Sequence, residues 1–324
     1  MADEDQATRA PESDAAEQSA IPGDSKVDQG SASLGEHCTT DRPTSSGAKP
    51  TGELTKFDDT EVYITKPADY PHSPSKLLLL LTGGTGVHST NNQLQADKWA
   101  TEGFLVVMPD QFAGDPAPTT NTSTSTTSPT LIEQVKLGFA TVAKSFTIDM
   151  WLARHTPETV LPRLHKVLSA IREEFADAVA NGGGVYAAGY CFGARYVLLH
   201  GSNLDEETAR GDRAPESTAE EGMAKHGAAI KVGAIAHGTL ISAQDFAKVE
   251  VPVGIVAVEN DSLFPDDVRE KGVKALRKRS VEVVEEVYKD VPHGFAVLGD
   301  YGEASIVEKQ GQAFAQMVGW LKGH

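Results

Sequence analysis

The feature that most constrains the fold is "KLLLLL" at residues 76–81, where five leucines follow one another. A strand with one wet face alternates apolar and polar side chains, whereas a run that is apolar at every position is typical of a strand covered on both faces. Comparable runs recur along the chain and predict further buried strands. They are "FLVVMPD" (104–110), the segment 184–188, "KVGAIAHG" (231–238) and "VPVGIVAVEND" (251–261).

The segments between these runs predict helices, and two alternating segments predict additional strands. The alternating segments are "EVYITKP" (61–67) and "VEVVEEVY" (281–288). Helices are predicted over residues 91–103, 132–153, 157–180, 265–279 and 303–322, with a short one after strand 184–188. Strands that alternate with helices predict an α/β fold, with a mostly parallel central sheet of about seven to eight strands and helices on both faces.

The first 36 residues differ from the rest of the chain. They hold nine acidic and two basic side chains and almost no aliphatic ones. Because so little apolar surface could be buried to offset the chain entropy, we predict a disordered acidic tail over residues 1–36, followed by one domain over residues 37–324. Within that domain, 117–130 is a low-complexity loop, and the acidic segment 202–227 is interpreted as a surface insertion.

Composition excludes several classes of partner. The net charge of −17 argues against nucleic acid and anionic membrane surfaces, which are themselves polyanions. No apolar run approaches the roughly 20 residues that span a bilayer, and the N-terminus lacks the regions of a secretory signal. Two cysteines, Cys38 and Cys191, suit a reducing compartment rather than a disulfide framework. We therefore expect a cytoplasmic protein, either a monomer or a weak homodimer, with neither nucleic-acid nor membrane partners.

One motif places a thiol where parallel sheets bind ligands, just past the carboxyl end of a strand. Gly189-Tyr190-Cys191-Phe192-Gly193 is G-x-C-x-G between a predicted strand and a predicted helix, the thiol version of the G-x-S-x-G turn. The tight turn strains the nucleophile's backbone, and the N-terminus of the next helix favours a thiolate. The alternative interpretation is a buried structural cysteine, a common state of free thiols.

A thiol nucleophile needs a base, and the base needs an orienting acid. Asp261 and His293 follow Cys191 in the order nucleophile, acid, histidine that α/β-hydrolases use, and each lies just past a predicted strand. His237, which also follows a strand, is the alternative base, and Glu259 is the alternative acid.

The remaining site residues concern the developing oxyanion and the pocket. The amide of Phe192 is the first predicted donor, and the second comes from Thr85 or Gly84 in "LTGGTGVHS". That loop has neither the lysine of a phosphate-binding loop nor a third glycine at dinucleotide-fold spacing, so both nucleotide motifs are excluded. His237 and Tyr190 are candidates for the pocket wall.

Taken together, these motifs resemble the dienelactone hydrolase family of the α/β-hydrolase superfamily, particularly its fungal intracellular members. The resemblance spans about residues 36 to 322 and includes "GYCFGARY", "AVENDSLFP", "DVPHGFAV", "NNQLQADKWATEGFLVVMPDQFAGD" and "WLARHTPE". It implies hydrolysis of a small ester or lactone through an acyl-thiol intermediate, without a metal or other cofactor. By position it assigns Cys191 as nucleophile, Asp261 as acid and His293 as base, and it places Cys38 outside catalysis.

The chain departs from the family pattern at two positions. Characterised bacterial members carry a glutamate that contacts the cysteine and an arginine that holds the substrate carboxylate. The matching residues here are interpreted as Gly84 and Val297, while Arg195 is expected to point away or form a structural ion pair. We therefore expect general acyl hydrolysis rather than activity on dienelactone itself. The alternatives are a non-hydrolytic binding protein of the same fold, and thioester cleavage or acyl transfer.

Overall fold

The computed structural model describes residues 39–42, 44, 47–118, 147–203 and 227–324. The predicted acidic tail, Cys38 and most of the segments 117–130 and 202–227 lie outside these ranges. In the part of the chain that is described, eight strands form one sheet. The strands are β1 (Glu53–Phe57), β2 (Thr60–Thr65), β3 (Lys76–Leu81), β4 (Phe104–Pro109), β5 (Tyr186–Tyr190), β6 (Val232–Ala236), β7 (Val253–Val258) and β8 (Val283–Tyr288).

Helices connect the strands and close the chain. Over the same ranges they are α1 (Thr90–Thr101), α2 (147–154), α3 (Pro157–Glu174), α4 (Ala176–Gly182), α5 (Phe192–His200), α6 (Asp266–Lys278) and α7 (Ala304–Gly323). None of them is both long and apolar enough to cross a lipid bilayer.

The sheet is mostly parallel, in the order β1-β2-β4-β3-β5-β6-β7-β8. Strand β2 pairs antiparallel with both β1 and β4, and every pair from β4 to β8 is parallel. The chain runs from β3 to β4 on one side and then crosses to β5 on the other. Ligands bind beyond the carboxyl ends of strands at such a reversal of strand order. The fold prediction is confirmed.

The leucine run of β3 shows why that strand is apolar throughout. Leu77, Leu79 and Leu81 pack into the core cluster beneath α3, α4, α5 and α6, whereas Leu78 and Leu80 pack into the cluster beneath α1 and α7. Successive side chains point to opposite faces, so a strand covered by helices on both faces needs an apolar side chain at every position.

Three element predictions need correction. Strand β1 was not predicted, because "ELTKF" is an exposed edge strand without apolar periodicity. The helix predicted over residues 157–180 is two helices, interrupted at Phe175, where φ is −115° and ψ is 41°. The strand predicted at 184–188 begins at Tyr186 and ends at Tyr190. Of the helix predicted over 132–153, residues 132–146 lie outside the described ranges.

Candidate active site

The loops after β3 and β5 leave the sheet from neighbouring strands at the reversal of strand order. They meet beside Cys191, where a Cβ built on Gly83 would lie 3.3 Å from Cβ and 3.7 Å from Sγ of the cysteine. A side chain at position 83 would therefore contact the thiol. The sequence interpretation matched the family's thiol-contacting glutamate to the neighbouring Gly84, and that correspondence stays a prediction.

Cys191 occupies a strained turn between β5 and α5. Its φ of 51° and ψ of −115° lie in a region that side-chain-bearing residues rarely adopt, at a cost of about 1–3 kcal/mol. The flanking glycines explain how the turn is accommodated. A Cβ on Gly189 would lie 2.6 Å from Val197, and a Cβ on Gly193 would collide with the backbone carbonyl of Leu81. Strand and helix can approach this closely only if both positions lack a side chain.

The side chains of Asp261 and His293 meet at this edge of the sheet. Asp261 follows β7 and His293 follows β8, and Oδ2 of Asp261 lies 2.6 Å from Nδ1 of His293. The backbone amide of Leu263 donates to the other carboxylate oxygen at 3.0 Å, which fixes the carboxylate's orientation. Both side chains are buried, with relative exposures of 3% for Asp261 and 9% for His293.

A threonine that sequence reasoning missed contacts both the thiol and the imidazole, which also interact with each other. Thr239 Oγ1 is 3.2 Å from Sγ of Cys191 and 3.2 Å from Nε2 of His293. It lies just past the carboxyl end of β6, two residues after His237. The strand-end rule that selected Cys191, Asp261 and His293 also applies to this loop. However, a hydroxyl gives no sequence signal comparable to a histidine, so it was not singled out.

The electrostatics of the site favour a protonated imidazole. Burial is the largest single influence and by itself lowers the pKa of His293, but the hydrogen bond with Asp261 and the contact with Cys191 both raise it and together outweigh burial. The net effect raises the pKa of His293 to about 9. A histidine that holds its proton at neutral pH beside a thiol is the partner that a thiolate requires.

Glu259, the alternative acid, and His237, the alternative base, do not take part in the Asp261–His293 hydrogen bond. Glu259 is partly exposed and pairs with Lys289 at 3.2 Å, away from the histidine. The ring of His237 is buried and packs edge-on against His293, with centroids 5.0 Å apart, and it lines the cleft beside Cys191. The geometry therefore joins Asp261 to His293 and leaves His237 as part of the cleft wall.

Above the thiol is a small, partly open cleft with about 30 Å³ of free volume. One wall comes from the N-terminal segment Thr40–Arg42, which sequence reasoning did not place near the site. The carboxylate of Asp41 accepts hydrogen bonds from Ser89 Oγ at 2.5 Å and from the Thr90 amide at 2.9 Å. The guanidinium of Arg42 lies 4.0 Å from the ring centroid of Tyr301. No pattern in "HCTTDRP" indicated this docking, which depends on contacts distant in sequence.

The predicted oxyanion donors lie around this cleft. Phe192 is the first residue of α5, where a helix provides no acceptor for the backbone amide. Thr85 lines the cleft, and its hydroxyl accepts from Nδ2 of Asn92 at 3.0 Å. The carbonyl of Gly84 accepts from the amide of Ala117 at 2.8 Å, which anchors the loop. The roles of the three predicted amides remain predictions.

Three other sequence interpretations can be compared with the structure. Tyr190 does not line the cleft: its hydroxyl accepts from Gln95 Nε2 and Trp99 Nε1, both at 3.1 Å, within the core beneath α1. The prediction failed because Tyr190 is the last residue of β5 and its side chain points to the opposite face from the thiol's surroundings. Arg195 pairs with Asp245 at 3.2 Å, as expected of a structural ion pair. Val297 lines the cleft.

Comparison with known proteins identifies the relatives of this chain. The model of the dienelactone hydrolase family matches residues 60–210 and 221–324, which is most of the sequence. The chain belongs to the dienelactone hydrolase family. As a member, it is a hydrolase that acts on ester bonds in small molecules.

Two fungal hydrolases are similar to this family member over most of their length. The hydrolase pyvD of Aspergillus violaceofuscus is 32% identical over 272 residues, covering 83% of this chain and 89% of pyvD. The hydrolase tropI of Talaromyces stipitatus is 28% identical over 286 residues, covering 85% of this chain and 91% of tropI.

Solved structures share the fold at low identity. A putative dienelactone hydrolase from Klebsiella pneumoniae superposes with a TM-score of 0.59 at 17% identity, covering 85% of this chain and 99% of that one. Esterase 2 of Thermogutta terrifontis, in a form phosphoramylated by tabun, gives a TM-score of 0.55 at 15% identity, with coverages of 86% and 97%. The chain therefore has the α/β-hydrolase architecture of its family.

Proposed function

We propose that this dienelactone hydrolase family member cleaves carboxylic esters or lactones with Cys191 as nucleophile, His293 as acid and base, and Asp261 as the orienting acid. The observation that carries the proposal is the arrangement of the three groups. A buried Asp261–His293 pair 2.6 Å apart lies beside a thiol at a strained strand-to-helix turn, and the thiol faces the cleft. Nucleophile, base and orienting acid in this order are the parts that acyl transfer requires.

Acylation follows from the positions of these groups. The Cys191 thiolate attacks the carbonyl carbon, forming a carbon–sulfur bond and placing negative charge on the carbonyl oxygen. The amide of Phe192, with that of Thr85 or Gly84, stabilises this charge. When the tetrahedral intermediate collapses, the carbon–oxygen bond breaks and Nε2 of His293 gives its proton to the leaving alkoxide.

Deacylation uses the same imidazole in the opposite direction. Neutral His293 takes a proton from water, and the resulting hydroxide attacks the thioester carbonyl. The carbon–sulfur bond breaks, the carboxylic acid leaves, and the thiolate is again paired with the protonated imidazole. Throughout the cycle Asp261 holds Nδ1, which keeps Nε2 directed at the reacting atoms. Cys191, His293 and one water molecule therefore account for every bond and every proton that changes in the cycle.

The test is to trap the acyl-enzyme. Wild-type protein mixed with a panel of aryl esters and lactones is quenched in acid and digested, and the peptides are weighed by mass spectrometry. We expect the acyl mass on the peptide that contains Cys191 and not on the peptide that contains Cys38. Substitution Cys191→Ala should lower kcat by several orders of magnitude, with about 10⁶-fold as the outer limit for losing a nucleophile.

The matched control is Cys38→Ala, which removes the chain's other thiol and should leave turnover unchanged. Turnover that survives in Cys191→Ala at the wild-type rate would rule out the cysteine mechanism. If acyl transfer to an added alcohol exceeds hydrolysis, the protein is an acyltransferase that works through the same intermediate. If no ester, lactone or thioester acylates Cys191, the alternative of a non-hydrolytic binding protein gains support.

A further inference from the structure

Thr239 belongs to the same site as Cys191 and His293, so any role it has there rests on the proposed function. Thr239 is only 1% exposed. Its backbone amide donates to the carbonyl oxygen of Cys191 at 3.1 Å, which ties the loop after β6 to the strained turn.

The hydroxyl of Thr239 matches the hydrogen-bonding needs of both neighbours. A hydroxyl has one hydrogen to donate and two lone pairs that accept. A protonated His293 donates its Nε2–H and a thiolate only accepts, so Oγ1 can accept from the imidazolium and donate to Sγ at the same time. Both distances are 3.2 Å, which is within hydrogen-bonding range for each pair of atoms.

Gly83, in the loop after β3, brings no side chain to the thiol, although a Cβ built there would lie 3.7 Å from Sγ of Cys191. A carboxylate at position 83 would repel a thiolate, whereas the hydroxyl of Thr239 can stabilise one. Hydrogen bonds to charged groups in buried sites are stronger than those between neutral groups.

We propose that Thr239 is a positioning residue that stabilises the thiolate of Cys191 by donating its hydroxyl hydrogen to Sγ while accepting from Nε2–H of His293. The hydroxyl thereby holds the sulfur and the imidazole at a fixed separation before substrate binds. It enters no covalent step, and its hydrogen stays on oxygen in the ion-paired state.

The substitution Thr239→Val replaces the hydroxyl with a methyl group of nearly the same shape. We expect the midpoint of the thiol's alkylation profile to rise by about one pH unit and the alkylation rate at pH 7 to fall about tenfold, because a hydrogen bond to a charged group is lost. Thr239→Ser retains a hydroxyl and should stay within about threefold of wild type.

The measurement is iodoacetamide alkylation of the full-length protein from pH 5 to pH 10, followed by mass spectrometry of the Cys191 peptide. The Cys38 peptide in the same tube reports the reactivity of the chain's other thiol. Thr65→Val is the matched control, since it removes another buried threonine hydroxyl far from the site and should leave the Cys191 profile unchanged. Ester turnover in Thr239→Val should recover as the pH is raised, whereas a purely structural defect would lower it equally at every pH.

An unchanged alkylation profile in folded Thr239→Val would overturn the proposal, as would an equal shift in Thr65→Val. If circular dichroism shows that Thr239→Val is unfolded, Thr239→Ala provides the same test without the added methyl group. Alkylation needs no ester substrate, so its result is independent of the acyl-enzyme experiment. Failure to trap an acyl-enzyme would reject the proposed function and leave the role of Thr239 in thiol ionisation open to this separate test.

Discussion

At the scale of single residues, the protonation state of His293 depends on its contacts with Asp261 and Cys191. Burial lowers the pKa of this histidine, and the 2.6 Å hydrogen bond with Asp261, together with the contact with Cys191, more than offsets that effect. The imidazolium therefore persists to about pH 9. In the proposed cycle that proton goes to the leaving alkoxide, so its loss at high pH stops acylation.

Substitution Asp261→Asn is expected to move the descending limb of the pH–rate profile. In wild type, kcat/KM for an aryl ester should fall as the pH rises through about 9, where His293 loses its proton. Without the carboxylate's charge the pKa of His293 is lower, so the limb should appear at lower pH. The measurement is kcat/KM from pH 6 to pH 10 in both proteins.

Glu259→Gln is the control for that prediction, because it neutralises a carboxylate two residues away that pairs with Lys289 instead. It should leave the descending limb in place. A limb that moves in Glu259→Gln but not in Asp261→Asn would assign the orienting acid to Glu259.

At the scale of elements, the site depends on how closely α5 approaches β3 and β5. The amide of Gly193 donates to the carbonyl of Thr82 at 2.9 Å, and the neighbouring Leu81 carbonyl leaves no room for a Cβ. Gly189 is equally enclosed, by Val197 and the backbone of Gly193. The N-terminus of α5 can lie beside the thiol only because residues 189 and 193 are both glycine.

Gly193→Ala is predicted to destabilise the fold by at least about 2 kcal/mol, because the colliding atoms belong to backbone that cannot rotate away. The matched control is Gly311→Ala in α7, where an added Cβ meets nothing within 4 Å. That change should be neutral or should stabilise the helix by up to about 1 kcal/mol. Urea unfolding followed by circular dichroism measures both, and equal stability of the two variants would contradict this account of the turn.

At the scale of the whole molecule, the sheet brings together loops from five adjacent parallel strands. Gly83, Cys191, Thr239, Asp261 and His293 follow β3, β5, β6, β7 and β8 in the order in which those strands lie side by side. The N-terminal segment Thr40–Arg42 then closes one wall of the cleft from outside the sheet. Thr40–Arg42, near the start of the chain, therefore contribute to a cleft whose other residues follow the strands of the sheet.

Two truncations test that arrangement. Removing residues 1–36 should leave the melting temperature and kcat/KM unchanged, since the acidic tail is predicted to contribute no packed surface. Removing residues 1–42 also deletes Asp41 and Arg42 from the cleft wall, and should lower kcat/KM about tenfold, which corresponds to about 1.4 kcal/mol of lost binding. Steady-state kinetics on one ester measures both. Equal activity of the two truncated proteins would exclude a contribution from the segment.

The sequence alone determined the order of most elements and the turn at Cys191. Both depend on local rules: apolar runs mark strands buried on two faces, and glycines mark backbone that approaches closely. Asp261 and His293 could be named because each lies just past a predicted strand, in the order nucleophile, acid, histidine, with Glu259 and His237 as the alternatives. Strand β1 was missed because "ELTKF" has no apolar periodicity. The break at Phe175 was missed because it does not interrupt the helical pattern of residues 157–180.

Only the tertiary structure decided which loops meet. Thr239 lies 48 residues from Cys191 in sequence and 3.2 Å from its sulfur, because β6 pairs directly with β5. Strand order is set by packing across the whole sheet, and no spacing in the chain encodes it locally. The same holds for Arg42 and for the choice of Asp261 over Glu259: the sequence specified the chemical groups, and the order of strands brought them within hydrogen-bonding distance.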